Sequence, residues 1–220
     1  MRNLFWNLFS FILAISLGLS CNQNDGVKGS SMGFASSSYQ ESLKQFPAFL
    51  VDFFPKLAGS EYFWQKTTDT TNKCIYFIYY DLKDSNALSI DSGIQARTMA
   101  NYTASEKNLI TIKSESLLRQ HAKYYHSLII NNKYYYPVPF FETDSSISQI
   151  GYQSEEIFSS ASECGLNIEF NIYVLDSKPG IYWKGLTPSE LMPEGWKNGY
   201  SKGICVNAKR GFVIYWFIIW

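Results

Sequence analysis

Residues 212–220, Phe-Val-Ile-Tyr-Trp-Phe-Ile-Ile-Trp, contain no charge, no glycine and no proline. β-Branched and aromatic side chains fill the run, and both classes favour strands. A strand with one wet face alternates apolar and polar residues. This one is apolar on both parities, which calls for an interior strand covered on both faces. Residues 207–211 (NAKRG) just before it supply turn chemistry, and residues 201–206 (SKGICV) supply a partner strand. The expectation is a terminal hairpin lying inside a sheet.

Working outward, residues 167–175 (NIEFNIYVL) alternate, with Ile168, Phe170, Ile172 and Val174 pointing one way and Asn167, Glu169, Asn171 and Tyr173 the other, so a half-buried strand is predicted. The turn Lys178-Pro179-Gly180 follows, and residues 181–183 are expected to pair back. Residues 61–66 and 74–82 (CIYFIYYDL), separated by the polar TTDTTN, read as another hairpin. Ile94, Ala96, Thr98, Ala100 and Tyr102 alternate against polar neighbours, and residues 109–113 add a strand. In residues 133–141 (KYYYPVPFF), Pro137 and Pro139 stand two apart and point both missing donors to one side, a pattern that belongs on a sheet edge.

Helical spacing is clearest over residues 115–130. Leu117, Leu118, His121, Ala122, Tyr124, Tyr125, Leu128 and Ile129 fall on one broad face, Ser114 can cap the start, and Asn131 and Asn132 suit an αL C-terminal end. Shorter helices are predicted over residues 39–45, capped by Ser38, over residues 47–54, and from Ser154 and Glu155 to near Gly165. The fold class expected is α+β: a single domain over residues 39–220 with a largely antiparallel sheet of about seven to nine strands, one main amphipathic helix packed on it and shorter N-terminal helices.

The first 20 residues have a different character. Arg2 precedes an apolar run, residues 4–19, interrupted by Asn7, Ser10 and Ser16 and ending at Ser20 and Cys21. A positive start, an apolar core and small residues before a cut site are the parts of an export signal, and a stable span needs roughly 20 uninterrupted apolar residues. The end of the run, Leu17-Gly18-Leu19-Ser20-Cys21, resembles the lipobox of bacterial lipoproteins. The resemblance implies removal of residues 1–20 and acylation of Cys21, with Ser20 the small residue before the cut. The family carries a branched aliphatic residue where Gly18 stands here, and Gly18 with Ser20 also fits an ordinary signal-peptidase site that would leave Cys21 free. Residues 22–38 (NQNDGVKGSSMGFASSS) have little to bury, so residues 21–38 are expected to be a flexible tether. A lipid-anchored protein of the cell envelope, on the outer membrane, is the implied location.

Composition excludes one class of partner. Lys plus Arg and Asp plus Glu both number 19, and losing Arg2 leaves one excess acid, so no electrostatic case exists for nucleic acid. Beyond Cys21, the cysteines Cys74, Cys164 and Cys205 have spacings that match no zinc or redox motif; they are either buried small hydrophobes or, in an oxidising envelope, one disulfide and one thiol. His121 and His126, five apart on a helix, cannot chelate one metal from one face. Glu155 with Glu156, and Glu190 with Glu194, are acidic pairs of a kind common in any chain this size. No phosphate loop or G-x-S-x-G motif occurs, and no metal or cofactor is expected.

Aromatic residues remain. Residues 187–199 (TPSELMPEGWKNG) form a loop punctuated by Pro and Gly, and a Trp-bearing loop must dock or meet a partner. Trp183, Trp196 and Tyr200 around it, with Tyr134 and Tyr136 on the predicted edge, are the candidate binding residues for a protein or a glycan. The functional expectation is therefore a noncatalytic binding module held to a membrane by its N-terminal lipid. A hydrolase whose site is not encoded in a local motif is the alternative. Mass spectrometry of the mature protein is expected to find an acylated N-terminal Cys21, and Cys21→Ser is expected to abolish fatty-acid labelling; an unmodified Cys21 would overturn lipidation.

Overall fold

The computed structural model of the protein describes residues 35–56, 62–80, 97–119, 122–142 and 154–220. The export segment, Cys21, most of the predicted tether, His121 and part of the alternating stretch from Ile94 lie outside those residues. Ten strands are present among them: β1 (Tyr62–Thr68), β2 (Lys73–Tyr79), β3 (Ala100–Thr103), β4 (Thr111–Ile112), β5 (Ile129–Ile130), β6 (Lys133–Tyr134), β7 (Val138–Pro139), β8 (Asn171–Pro179), β9 (Gly199–Asn207) and β10 (Phe212–Ile219). Helices are short: α1 (Ala35–Lys44), α2 (Ala48–Val51), α3 (Glu115–Leu118) and α4 (Ser154–Ile157). The fold is α+β with the sheet dominant.

Six strands form the main sheet in the order β1-β2-β10-β9-β8-β3, every neighbouring pair antiparallel. The terminal hairpin occupies the two middle positions, as its apolar composition demands. Ile214, Trp216 and Ile218 enter the core on one face, while Val213, Phe217 and Ile219 enter on the other.

The indoles of β10 and of Trp220 directly after it need space on β9. Trp216 stands opposite Gly203, and Trp220 exchanges both backbone hydrogen bonds with Gly199. A Cβ on Gly203 would lie 2.5 Å from the Trp216 ring and 2.1 Å from the Tyr173 carbonyl oxygen, and one on Gly199 would lie 2.7 Å from the Trp220 ring. Strand alternation puts Gly199, Ser201 and Gly203 on one side of β9, forming a trough of small residues that the two rings fill.

On the opposite face, the segment that carries α1 and α2 lies against the sheet through Tyr39, Leu43, Phe46, Leu50 and Phe54, which pack with Ile75, Phe77, Phe217 and Ile219. The predicted stripe of Tyr39, Leu43 and Phe46 is buried. The first helix begins at Ala35, however, so Ser38 lies inside it rather than capping it. Pro47, with φ −53° and ψ 135°, stands just ahead of α2, where its missing N–H costs nothing.

The expected main amphipathic helix is not formed over the described part of residues 115–130. Helix persists only for α3, after which Tyr125 donates its backbone N–H to the Leu191 carbonyl, and Ile129 and Ile130 pair with Tyr134 and Lys133. Asn131 and Asn132 have φ of 52° and 61°. The αL expectation holds, but two consecutive αL residues build a type I′ hairpin turn, which requires extended flanks rather than a helix. Of the predicted stripe, Tyr125 and Leu128 are buried, while Tyr124 and Ile129 are exposed. Among the described residues, irregular chain, short strands and the single turn of α4 therefore cover this face of the sheet, through residues such as Leu109, Ile110, Val138, Phe141, Ile157, Leu166 and Phe170.

Two strand expectations also shift. The strand foreseen at residues 167–175 begins at Asn171, leaving Ile168 exposed, and Tyr173 is buried on the side expected to be wet. Residues 181–183 do not pair back as a strand. The prolines behave as foreseen: Val138 and Phe140 donate to the carbonyls of Ile110 and Ile112, and Pro137 and Pro139 fall at the alternate positions, where no donor is needed. Among the described residues β7 accordingly pairs on one side only, parallel to β4.

Gly203→Ala should lower the unfolding free energy by at least about 1–3 kcal/mol, the range for overpacking, because a backbone carbonyl and an indole must both move. Thermal unfolding measures it; an unchanged melting temperature would show that the trough tolerates a methyl group.

Candidate functional site

Tyr102 in edge strand β3 organises the aromatic residues of 134–136. Its hydroxyl donates to the Tyr134 carbonyl at 3.2 Å and accepts the Tyr136 backbone N–H at 2.7 Å. The phenol is almost fully buried and stacks on Tyr135 at 5.3 Å with 17° between the planes. Burial, the largest influence, pushes its pKa well above the usual phenol value, so the hydroxyl keeps its proton and can donate. Lys133 lies over the rings of Tyr102 and Tyr135 and is paired with Glu106 at 2.9 Å. Sequence alternation placed Tyr102 on one face of a strand but carried no signal of this clamp, which joins residues 32 and 34 positions apart.

With Tyr135 turned inward, Tyr134 and Tyr136 face the other way. Their rings stand 4.5 Å apart; Tyr136 then meets Trp196 edge-on at 6.4 Å, and Trp196 stacks on Trp220 at 6.3 Å with 15° between planes. Tyr134 is 38% exposed, Ile129 directly across the hairpin is 57% exposed, and Trp220 at the other end is buried. The edge and the loop singled out separately in the sequence thus meet in one aromatic row that runs from the surface into the core.

The loop bearing Trp196 is held at both ends. Gly195 is αL, the Trp196 N–H donates to Pro193, Ser189 donates to the Lys197 carbonyl, and the Trp220 indole donates to the Trp196 carbonyl at 2.9 Å. Lys197 bridges Glu190 at 3.1 Å and Glu194 at 3.4 Å, so these two carboxylates, on the same side of the loop, serve one cation.

Trp183 and Tyr200 do not join the row. Tyr200 follows Gly199 in β9 and points to the opposite face, where it is buried between Phe49 and Tyr182 and donates to Asp176 at 2.6 Å. Trp183 is half-buried against Phe46 of the N-terminal segment. Both belong to the packing of the helix-covered face.

Of the groups considered for chemistry, Glu156, Glu190 and Glu194 are paired with cations, and His121 lies outside the described residues. Cys74, Cys164 and Cys205 are buried free thiols, and burial raises each pKa, the reverse of activation. Glu169 is held down to about 2, first by hydrogen bonds from Lys209 and Arg210, and Glu156 pairs with the same Arg210. A general acid needs its carboxyl raised, not lowered. Among the described residues no cluster of three or more His, Cys, Asp or Glu could hold a metal, and no helix is long and apolar enough to cross a membrane.

A concavity of about 160 Å³ lies beside the clamp, lined by Tyr102, Glu106, Lys133 and Tyr173, and two others lie elsewhere among the described residues. An open one of about 410 Å³ is lined by Phe140, Phe158, Ser154, Glu155 and neighbours. A more enclosed, mainly apolar cleft of about 250 Å³ lies between α3, Tyr125, the 187–192 loop and Trp220. Comparison of the chain with known protein families, with curated proteins and with solved structures finds no match.

Tyr102→Phe removes one donor and one acceptor and leaves the Tyr136 N–H and Tyr134 carbonyl without their clamp. A stability loss of about 1–3 kcal/mol in chemical denaturation is expected, together with faster hydrogen exchange at the Tyr136 amide; unchanged exchange there would remove Tyr102 from its positioning role.

Proposed function

We propose that the protein is a lipid-anchored component of the bacterial cell envelope whose domain binds a partner, protein or glycan, without catalysis. The observation that carries the binding reading is the continuity of Tyr134, Tyr136 and Trp196, with Ile129 exposed beside them. Contiguous exposed apolar surface marks interaction sites, and Tyr and Trp supply much of the energy at such surfaces because they bury large area while losing few rotamers. The lipobox-like segment ending at Cys21 supports the anchor, and a second acyl chain or further signal is needed to make such an anchor stable. The hydrolase alternative gains no support from the larger concavity, whose described lining offers a single carboxylate, Glu155.

Capture from detergent-solubilised envelopes tests the reading. Trp196→Ala is expected to reduce partner recovery at least tenfold, an outcome in line with truncation of a binding hot spot, while Trp183→Ala, on the opposite face, leaves recovery unchanged. Equal recovery by wild type and Trp196→Ala would refute the aromatic row as the binding surface.

A further inference from the structure

We infer that the cleft beside Trp220 is a pocket for one uncharged aromatic ring, presented as a side chain by a protein partner. The inference rests on the binding reading above and selects a protein over a glycan as the partner. Size is the first observation. An apolar cavity of about 150 Å³ admits benzene, and sites for whole drug-sized ligands begin near about 300 Å³. At about 250 Å³ this cleft suits a single substituted ring.

Lining is the second. Ile112, Leu118, Tyr125, Leu191, Met192 and Trp220 supply its apolar wall. Several of its polar groups are already engaged inside the protein. The Tyr125 hydroxyl accepts the Thr111 N–H and shares a hydrogen bond with the Thr111 hydroxyl; Thr71 donates to Asp69, Glu190 is paired with Lys197, and Lys113 lies over the Phe140 ring. Sugar hydroxyls need directed polar partners of their own, and burying them without such partners is costly. An uncharged ring makes no such demand and gains from the carbon lining.

Position is the third. Trp220 both lines the cleft and stacks on Trp196, so the cleft adjoins the aromatic row. A polypeptide lying against Tyr134, Tyr136 and Trp196 can place one of its side chains in the cleft. Tyr125 is fixed there by its backbone bond to Leu191, which ties the two walls together.

The test uses N-acetyl-phenylalanine amide as probe and a neutral trisaccharide as comparison, read by the indole N–H resonance of Trp220 in the mature protein. A saturable shift with the phenylalanine probe and none with the trisaccharide is expected. Ala122→Trp, which fills the cleft from an exposed position on its wall, should weaken probe binding and partner capture at least tenfold with an unchanged melting temperature. If that variant does not fold, Pro188→Trp fills the cleft from another exposed position. No saturable shift, a shift for the trisaccharide alone, or unchanged probe binding in a folded, filled variant overturns the pocket. Loss of the pocket with capture still dependent on Trp196 leaves the surface reading standing. Probe binding with capture independent of Trp196 overturns the surface reading and leaves the ring site. A captured partner that proves to be a glycan overturns the choice of protein.

Discussion

The packing of two indoles into a trough of small residues is the contact on which this architecture depends. Trp216 of β10 and Trp220 directly after its end are four apart in extended chain and so share a face, and Gly203 and Gly199 meet them with the same spacing on β9. Glycine in a strand ordinarily weakens it through lost side-chain packing and greater backbone entropy. Here the neighbouring ring supplies the missing packing, and the absence of Cβ lets it lie on the strand backbone. The centre of the sheet thereby becomes a large apolar surface on which chain with little regular structure can be laid.

That arrangement also explains where the candidate site forms. Trp220 is the last of the trough's rings and the first of the aromatic row, because its ring stacks on Trp196 while its indole N–H holds the Trp196 carbonyl. Tyr102 performs the corresponding task from edge strand β3, fixing the 134–136 backbone through both polar functions of one phenol. The row is therefore supported at one end by the middle of the sheet and at the other by its edge. Loop side chains held this way lose less conformational freedom on binding than mobile ones do.

Electrostatics plays a local part. Glu169 gathers Lys209 and Arg210 from the turn of the terminal hairpin, and Arg210 reaches Glu156 of α4, joining three segments at an exposed position. Asp69 has a comparable role inside the core-facing edge: one carboxylate oxygen accepts the Thr71 and Asn72 N–H groups of its own turn and the other accepts the Glu115 N–H that begins α3. Such carboxylates organise turns, and their depressed or satisfied charge suits that use better than acid catalysis.

Local pattern was informative wherever the backbone's hydrogen-bond partners lay close in sequence or the side-chain pattern admitted one geometry. The apolar 212–220 run called for an interior strand, the TTDTTN turn had to reverse the chain, and Pro137 and Pro139 had to avoid a ladder. Residues 115–130 satisfied helical spacing equally well, yet tertiary contacts overrode it: the Tyr125 N–H found the Leu191 carbonyl, and the two αL asparagines closed a hairpin whose extended arms a helix cannot provide. Tyr134, Tyr136 and Trp196 were each visible as aromatic residues at an edge or in a loop, and so were Trp183 and Tyr200. Which three share a surface was decided by the parity of β9, which turns Tyr200 away from Gly199, and by the Tyr102 clamp across more than thirty residues. The sequence by itself determined that a doubly covered sheet would form and which residues could not leave it; only the tertiary structure decided which aromatic side chains meet, because that depends on strand register and on hydrogen bonds between segments with no local relation.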